Sequence, residues 1–160
     1  MPISKMSGLP NSYRYMVLCL DNYDKKVMRG RMYHPVCEEG VIFHSTMELL
    51  CEMESMCDTI SYPKASMEQR RFQKTEKISL SLVQQRGREH IHRERRGAIG
   101  TFLVRVCFRQ NASWQGTVQW LETGKELKFR SALELLLMMD SALSGSRNWE
   151  LDHGQEETGL

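Results

Sequence analysis

An α+β fold built from two similar halves is what this 160-residue sequence predicts, and three observations carry the prediction. Sliding the chain by 86 positions lays "GRMYHPVCEEGVIFHSTMELLCEMESMC", from Gly30, on "GTVQWLETGKELKFRSALELLLMMDSAL", from Gly116, without a gap. In that overlay Phe43/Phe129, Ser45/Ser131, Glu48/Glu134, Leu49/Leu135, Leu50/Leu136, Met53/Met139 and Ser55/Ser141 are identical, and Glu54/Asp140 keeps its charge. Each copy opens on short runs with the two-residue alternation of strands and closes on an apolar segment with helical spacing. The expectation is an internal duplication of a β-β-β-α unit with pseudo-two-fold symmetry, its antiparallel sheets packed with two main helices.

The first strand of each unit is "YMVLCLD" or "TFLVRVCF", rich in apolar and β-branched residues. A polar turn leads to a second strand, "VMRGRMYH" or "SWQGTVQW", whose shared glycine marks a bulge or a close backbone approach. Alternation puts Met28, Met32 and His34, with Trp114, Val118 and Trp120, on one side. Arg29, Arg31 and Tyr33, with Gln115, Thr117 and Gln119, fall on the other. A short third strand, "VIF" or "LKF", precedes a helix that starts at a capping box, Ser45-x-x-Glu48 or Ser131-x-x-Glu134. Leu49, Met53, Met56 and Ile60 form an amphipathic stripe on the first helix. The second, "ALELLLMMDSAL", is apolar on nearly every side, which suits the centre of the domain or a homodimer interface.

These signals divide the chain into a flexible N-terminus (1–11), a first repeat (12–60), a connector (61–99), a second repeat (100–144) and an acidic flexible tail (145–160). The connector holds one expected strand, "ISLSLVQQ", and a polar arginine-rich linker, "RGREHIHRERRG".

Composition narrows the function classes. A net charge of +2 does not mark a generally basic surface, so any anion-binding patch must be local. No apolar run approaches the roughly 18–20 residues that span a bilayer, and "MPISKMSGLP" lacks the apolar core of a secretory signal. A cytoplasmic location and no membrane contact are expected. Five cysteines without a CxxC pair fit reduced thiols better than a disulfide framework. That compartment removes the context for reading Asn111-Ala112-Ser113 as a glycosylation site.

Catalytic signatures are missing. There is no GxSxG elbow and no GxxxxGK[ST] or GxGxxG phosphate loop, and capping accounts for the paired Ser and Glu residues. His34-x-x-Cys37 and His90-x-His92 do not assemble the two close pairs a structural zinc needs. Neither metal nor cofactor is expected, and the chain reads as a non-enzyme.

Binding residues are better represented. Arg86, Arg88, Arg93, Arg95 and Arg96 crowd the linker against only Glu89 and Glu94, and arginine suits bidentate recognition of phosphate or carboxylate. Arg29, Arg31 and Tyr33 add a basic-aromatic sheet face that could stack bases. "FRQNASWQG" brings together Arg109, Asn111, Ser113 and Trp114 in a turn that differs from its counterpart "KKVMRG" except at the glycine. Its Asn111-x-Ser113-x-x-Gly116 fits half of the PilZ cyclic-dinucleotide signature, with Arg105 and Arg109 as an RxxxR set almost contiguous with it rather than well separated.

The stretches "GTFLVRVCFRQNASWQGTVQWLE", "FRSALELLLMMDSAL", "GRMYHP" and "SYPKASMEQRRF" together resemble a family of small clostridial-type bacterial proteins, with "FRQNASWQG" and "FRSALEL" as the most specific parts. The resemblance implies an intracellular bacterial protein and carries no activity, cofactor or catalytic residue. The reading is a small non-enzymatic binding or regulatory protein acting through protein or nucleoprotein contacts. An inhibitor or modulator of a nucleic-acid-handling complex fits that description. Direct nucleic-acid binding by the arginine-rich linker and a PilZ-like nucleotide sensor are the alternatives.

Overall fold

Two strands that are apolar on both faces set the architecture. In β1 (Tyr15–Asp24) and β4 (Gly100–Phe108), residues of either parity are buried, as fits strands at the middle of a sheet. The computed structural model describes residues 11–60, 62–63, 72, 91–109 and 113–156, except for the side chains of 145–156. The remaining elements are β2 (Val27–His34), β3 (Cys37–Phe43), α1 (Thr46–Ile60), β5 (Gln115–Trp120), β6 (Lys125–Phe129) and α2 (Ala132–Glu156). A short 3-10 helix, Asn11–Arg14, precedes β1.

The strands form one six-stranded sheet in the order β3-β2-β1-β4-β5-β6, with every neighbouring pair antiparallel. The sequence led us to expect sheets in the plural. Instead β1 pairs with β4 and joins the halves edge to edge, because each of these strands has two faces to bury. Val17 faces Leu103 in that pair, with Met16 opposite Val104 and Leu18 opposite Phe102, so an offset of 86 residues carries the ladder onto itself. Register shifts fall at matching places, between Leu20 and Asn22 in β1 and between Val106 and Phe108 in β4. The two strand glycines also correspond. A Cβ on Gly30 would lie 1.9 Å from the Cys19 carbonyl oxygen, and one on Gly116 would lie 1.9 Å from that of Arg105. Neither position has room for a side chain.

Both helices pack on the same face of the sheet. The main core joins Leu18, Met28, Met32, Phe43, Leu49, Met53 and Cys57 to Val104, Trp114, Val118, Phe129, Leu135, Met139 and Leu143, which stand 86 residues further on. Burying one Leu of this set stabilises the fold by roughly 1.5–3 kcal/mol. Ser45 and Ser131 cap the helices as expected, their Oγ atoms accepting from the Glu48 and Glu134 amides at 3.0 and 3.1 Å. The return half of each box is different. Glu134 accepts from the Arg130 amide and guanidinium, and Glu48 pairs with the His44 ring.

Three further expectations are modified. The third strand of each unit begins earlier than "VIF" or "LKF". The second helix buries one side only, leaving Leu133 and Leu137 exposed, and it continues through 145–156, where a frayed tail was expected. The expected strand "ISLSLVQQ" lies outside the described residues.

Candidate contact surface on the helix-free sheet face

Among the described residues, the face opposite the helices is only partly covered. Val17, Cys19, Tyr33 and Leu103 form a small buried cluster there, flanked by Tyr15, Ile91 and Leu121. Its cover is the strap formed by residues 91–99, which has no regular structure until β4 begins. The sequence suggested a mobile linker, yet a ladder of hydrogen bonds fastens this segment. Gly97 N–H donates to Thr101 Oγ1 at 2.9 Å, Ala98 N–H to Asp21 Oδ1 at 3.0 Å and Ile99 N–H to Leu20 O at 2.9 Å. His92, buried at a left-handed φ of 63°, turns the chain, and the Arg95 amide donates to its carbonyl at 3.0 Å.

Asp21 and Arg31 are the node that ties strap to sheet. The Arg31 guanidinium forks onto the Asp21 carboxylate at 3.0 and 3.2 Å, a bidentate geometry only arginine supplies. It also donates to Tyr33 Oη at 2.9 Å and to the Arg96 carbonyl at 2.9 Å. Burial alone would raise the Asp21 pKa, but the Arg31 fork and the Ala98 amide outweigh it and hold the carboxyl below the usual range. The Asp21 hydrogen bonds raise the pKa of Arg31 in turn. Asp21 sits at the β1 register shift, and alternation alone did not single it out.

The predicted binding residues separate into groups. Arg31, Tyr33, Arg93, Arg95 and Arg96 come together at the strap. Tyr33 is buried, with the Arg95 guanidinium 4.8 Å from its ring centroid and the His92 ring at 5.5 Å. A ring so enclosed supports arginines and has no free face for a base. Arg96 folds back, donating to the Arg93 and Arg95 carbonyls. Arg93 and Arg95 are exposed. Further along the same face the Arg105 guanidinium lies 5.9 Å from the Tyr15 ring. Arg29 stands apart at the β3–α1 junction, donating to the His44 carbonyl at 3.3 Å. Arg86, Arg88 and Asn111 lie outside the described residues.

Arg109 and Trp114 belong to the opposite side of the sheet. Arg109 is 4% exposed and donates to Glu54 Oε1 at 3.0 Å, to Asp58 Oδ1 at 2.8 Å and to the Pro63 carbonyl. Trp114 Nε1 donates to the other Glu54 oxygen at 2.6 Å. Burial works against the Arg109 charge, but Asp58 and its acidic neighbours keep its pKa raised. This clasp fastens α1 across the end of β4. Ser113 is half-buried beside it. Of the two RxxxR arginines, Arg109 is therefore occupied by α1 carboxylates.

His34, Cys19 and Cys57 have structural surroundings. His34 is wholly buried; its Nε2–H donates to Tyr13 O at 2.8 Å and its Nδ1 accepts from the Val36 amide at 3.0 Å, an arrangement of the neutral ring. Burial pushes its pKa down to about 4. Burial also pushes the Cys19 thiol up to about 11 and that of Cys57 up to about 12, so both stay protonated. Among the described residues no three His, Cys, Asp or Glu side chains are grouped to hold a metal ion, and no helix is long and apolar enough to cross a membrane.

The fold and this surface define a two-layer α+β protein whose antiparallel sheet carries helices on one face and a basic strap on the other. No protein-family model, curated protein or solved structure matches the chain.

Proposed function

We propose that this is a non-enzymatic binding or regulatory protein acting through protein or nucleoprotein contacts, with the helix-free sheet face and its strap as the contact surface. The observation that carries the reading is the placement of Arg93 and Arg95 on a strap fastened by the Asp21–Arg31 fork. Arginines presented on an ordered support lose less freedom on binding than the same residues on a loose tether. Arg105 beside Tyr15 extends the basic character along the face.

The twofold correspondence of registers, bulges, glycines and core residues supports descent of the halves from one duplicated β-β-β-α unit. In that history the strap is an addition inserted between the copies, and it provides the contact function without altering either core.

Capture from a lysate of the cell of origin, with and without nuclease, tests the reading when wild type is compared with the combined Arg93→Ala, Arg95→Ala and Arg96→Ala variant. The expected result is a partner set retained by wild type and lost by the variant. Identical capture by both proteins would contradict the assignment. Nuclease sensitivity then sorts nucleoprotein from protein partners. Direct nucleic-acid binding is the second reading, favoured by the exposed strap arginines. It requires affinity for an oligonucleotide that falls with salt, with a shallower slope in the variant.

A further inference from the structure

The outer edge of β6 has no partner among the described residues, and its sequence, Lys125-Glu126-Leu127-Lys128-Phe129, is complementary to itself. Residues 125–128 are all exposed, and Leu127 presents 55% of its surface on the helix side of the sheet. Glu126 and Lys128 stand on the helix-free face, opposite Gln119 and Thr117 of β5, and neither has an ion pair among the described residues.

We propose that the β6 edge is an interaction surface for a second copy of this chain, which pairs antiparallel through its own β6 about a two-fold axis at Leu127. In this register Leu127 opposes Leu127 of the other copy. Each Glu126 opposes a Lys128, and each Lys125 opposes a Phe129. Residues that oppose one another must share a face, so the axis has to pass through a residue. Moving it by one position sets Glu126 against Glu126 or Lys128 against Lys128, which is repulsive. A lysine on an edge strand ordinarily guards against pairing; here Lys128 meets a glutamate in the central register, and Lys125 lies opposite an aromatic ring. The other outer strand, β3, has no such complement. An axis at its Val41 sets Gly40 against Ile42 and Glu39 against Phe43, with no opposite charges to pair.

The consequence is a continuous sheet through two molecules, with both helix-free faces on the same side. The contact is small, one apolar pair and two ion pairs plus the new backbone hydrogen bonds, so a weak dimer is expected.

Sedimentation across protein concentrations up to about 1 mM tests the proposal. Wild type should form a dimer. Lys128→Glu and Glu126→Lys should each raise the dissociation constant about tenfold or more, and the double variant Glu126→Lys/Lys128→Glu should restore it, since the reversed charges oppose each other again. Four exposed-site proteins with unchanged thermal unfolding keep the comparison free of folding effects. A wild type that stays monomeric throughout would overturn the proposal. So would a dimer that ignores both single reversals, and one lost instead on Leu137→Asp would place the contact on α2.

Discussion

The molecule fastens each helix to the sheet with an acid at the same relative position, yet the two fastenings differ in chemistry. On α1, Glu54 reaches across to Arg109 at the end of β4, joined by Asp58 and Trp114. On α2, Asp140 stands 86 residues after Glu54, and its partner Tyr23, near the end of β1, stands 86 residues before Arg109. Lys26 at 2.7 Å and Ser144 at 3.2 Å complete this second clasp. The first node centres on a guanidinium that is 4% exposed, whereas the lysine of the second is 71% exposed. The backbone determines where acid and partner meet, and the side chains at the meeting point can change character. A buried ion must be held by its partners, while an exposed one is hydrated whether or not it is paired.

That contrast predicts unequal costs. Arg109→Ala removes the charge that Glu54 and Asp58 surround and should cost about 3–5 kcal/mol. It would appear as a lower urea midpoint at unchanged slope. A loss below about 1 kcal/mol would mean that the two clasps are energetically alike.

Position 34 sharpens the comparison in another way, because its counterpart in the second half, Trp120, does not titrate. The folded pKa of His34 is held below its ordinary value, so the unfolded chain binds the extra proton first as pH falls. Stability contributed by the neutral ring is therefore present above pH 6.5 and is lost as pH falls towards about 4, by about 3 kcal/mol. In His34→Asn the slope of stability against pH in that window should flatten, whatever the variant's absolute stability. An unchanged slope would assign the acid sensitivity to other groups.

The smallest effect belongs to Tyr23→Phe. Asp140 keeps Lys26 and Ser144, so losing one hydroxyl should cost about 1 kcal/mol. The tyrosine itself gives a second readout. Burial, with the Asp140 hydrogen bond, pushes its pKa up to about 12, and Asp140→Asn should bring it down in an ultraviolet titration.

Much of the scaffold was legible in the sequence because its signals are local. Capping serines and strand alternation act within a few residues and the strand glycines within one hairpin, and the 86-residue offset exposed them twice. The union of the halves into one sheet was less visible, since period-two patterns show which face is buried but not which strand lies alongside. The clasps and the strap depend on partners far apart along the chain. Arg109 and Glu54 are separated by 55 residues, Tyr23 and Asp140 by 117, and Arg31 and Arg96 by 65. The conserved charge of Glu54/Asp140 was visible, but its partners were not. Asp21 keeps the side that alternation gives Val17 and Cys19, but its partners Arg31 and the Ala98 amide lie elsewhere in the chain. The register shift beside it carries Tyr23 to the helix side, where simple alternation does not put it. The same ambiguity affected the strap, since an arginine-rich polar segment reads as a loose linker unless its amides are known to find acceptors.

Whether that strap is a fixed part of the sheet face is the claim on which the proposed contact surface rests. Amide hydrogen exchange at Gly97, Ala98 and Ile99 measures it directly, because their protons are held by Thr101 Oγ1, Asp21 Oδ1 and Leu20 O. The account predicts exchange at least about 100-fold slower than in a free peptide, with Ala98 accelerated by Asp21→Ala. Exchange of all three amides at free-peptide rates would contradict it.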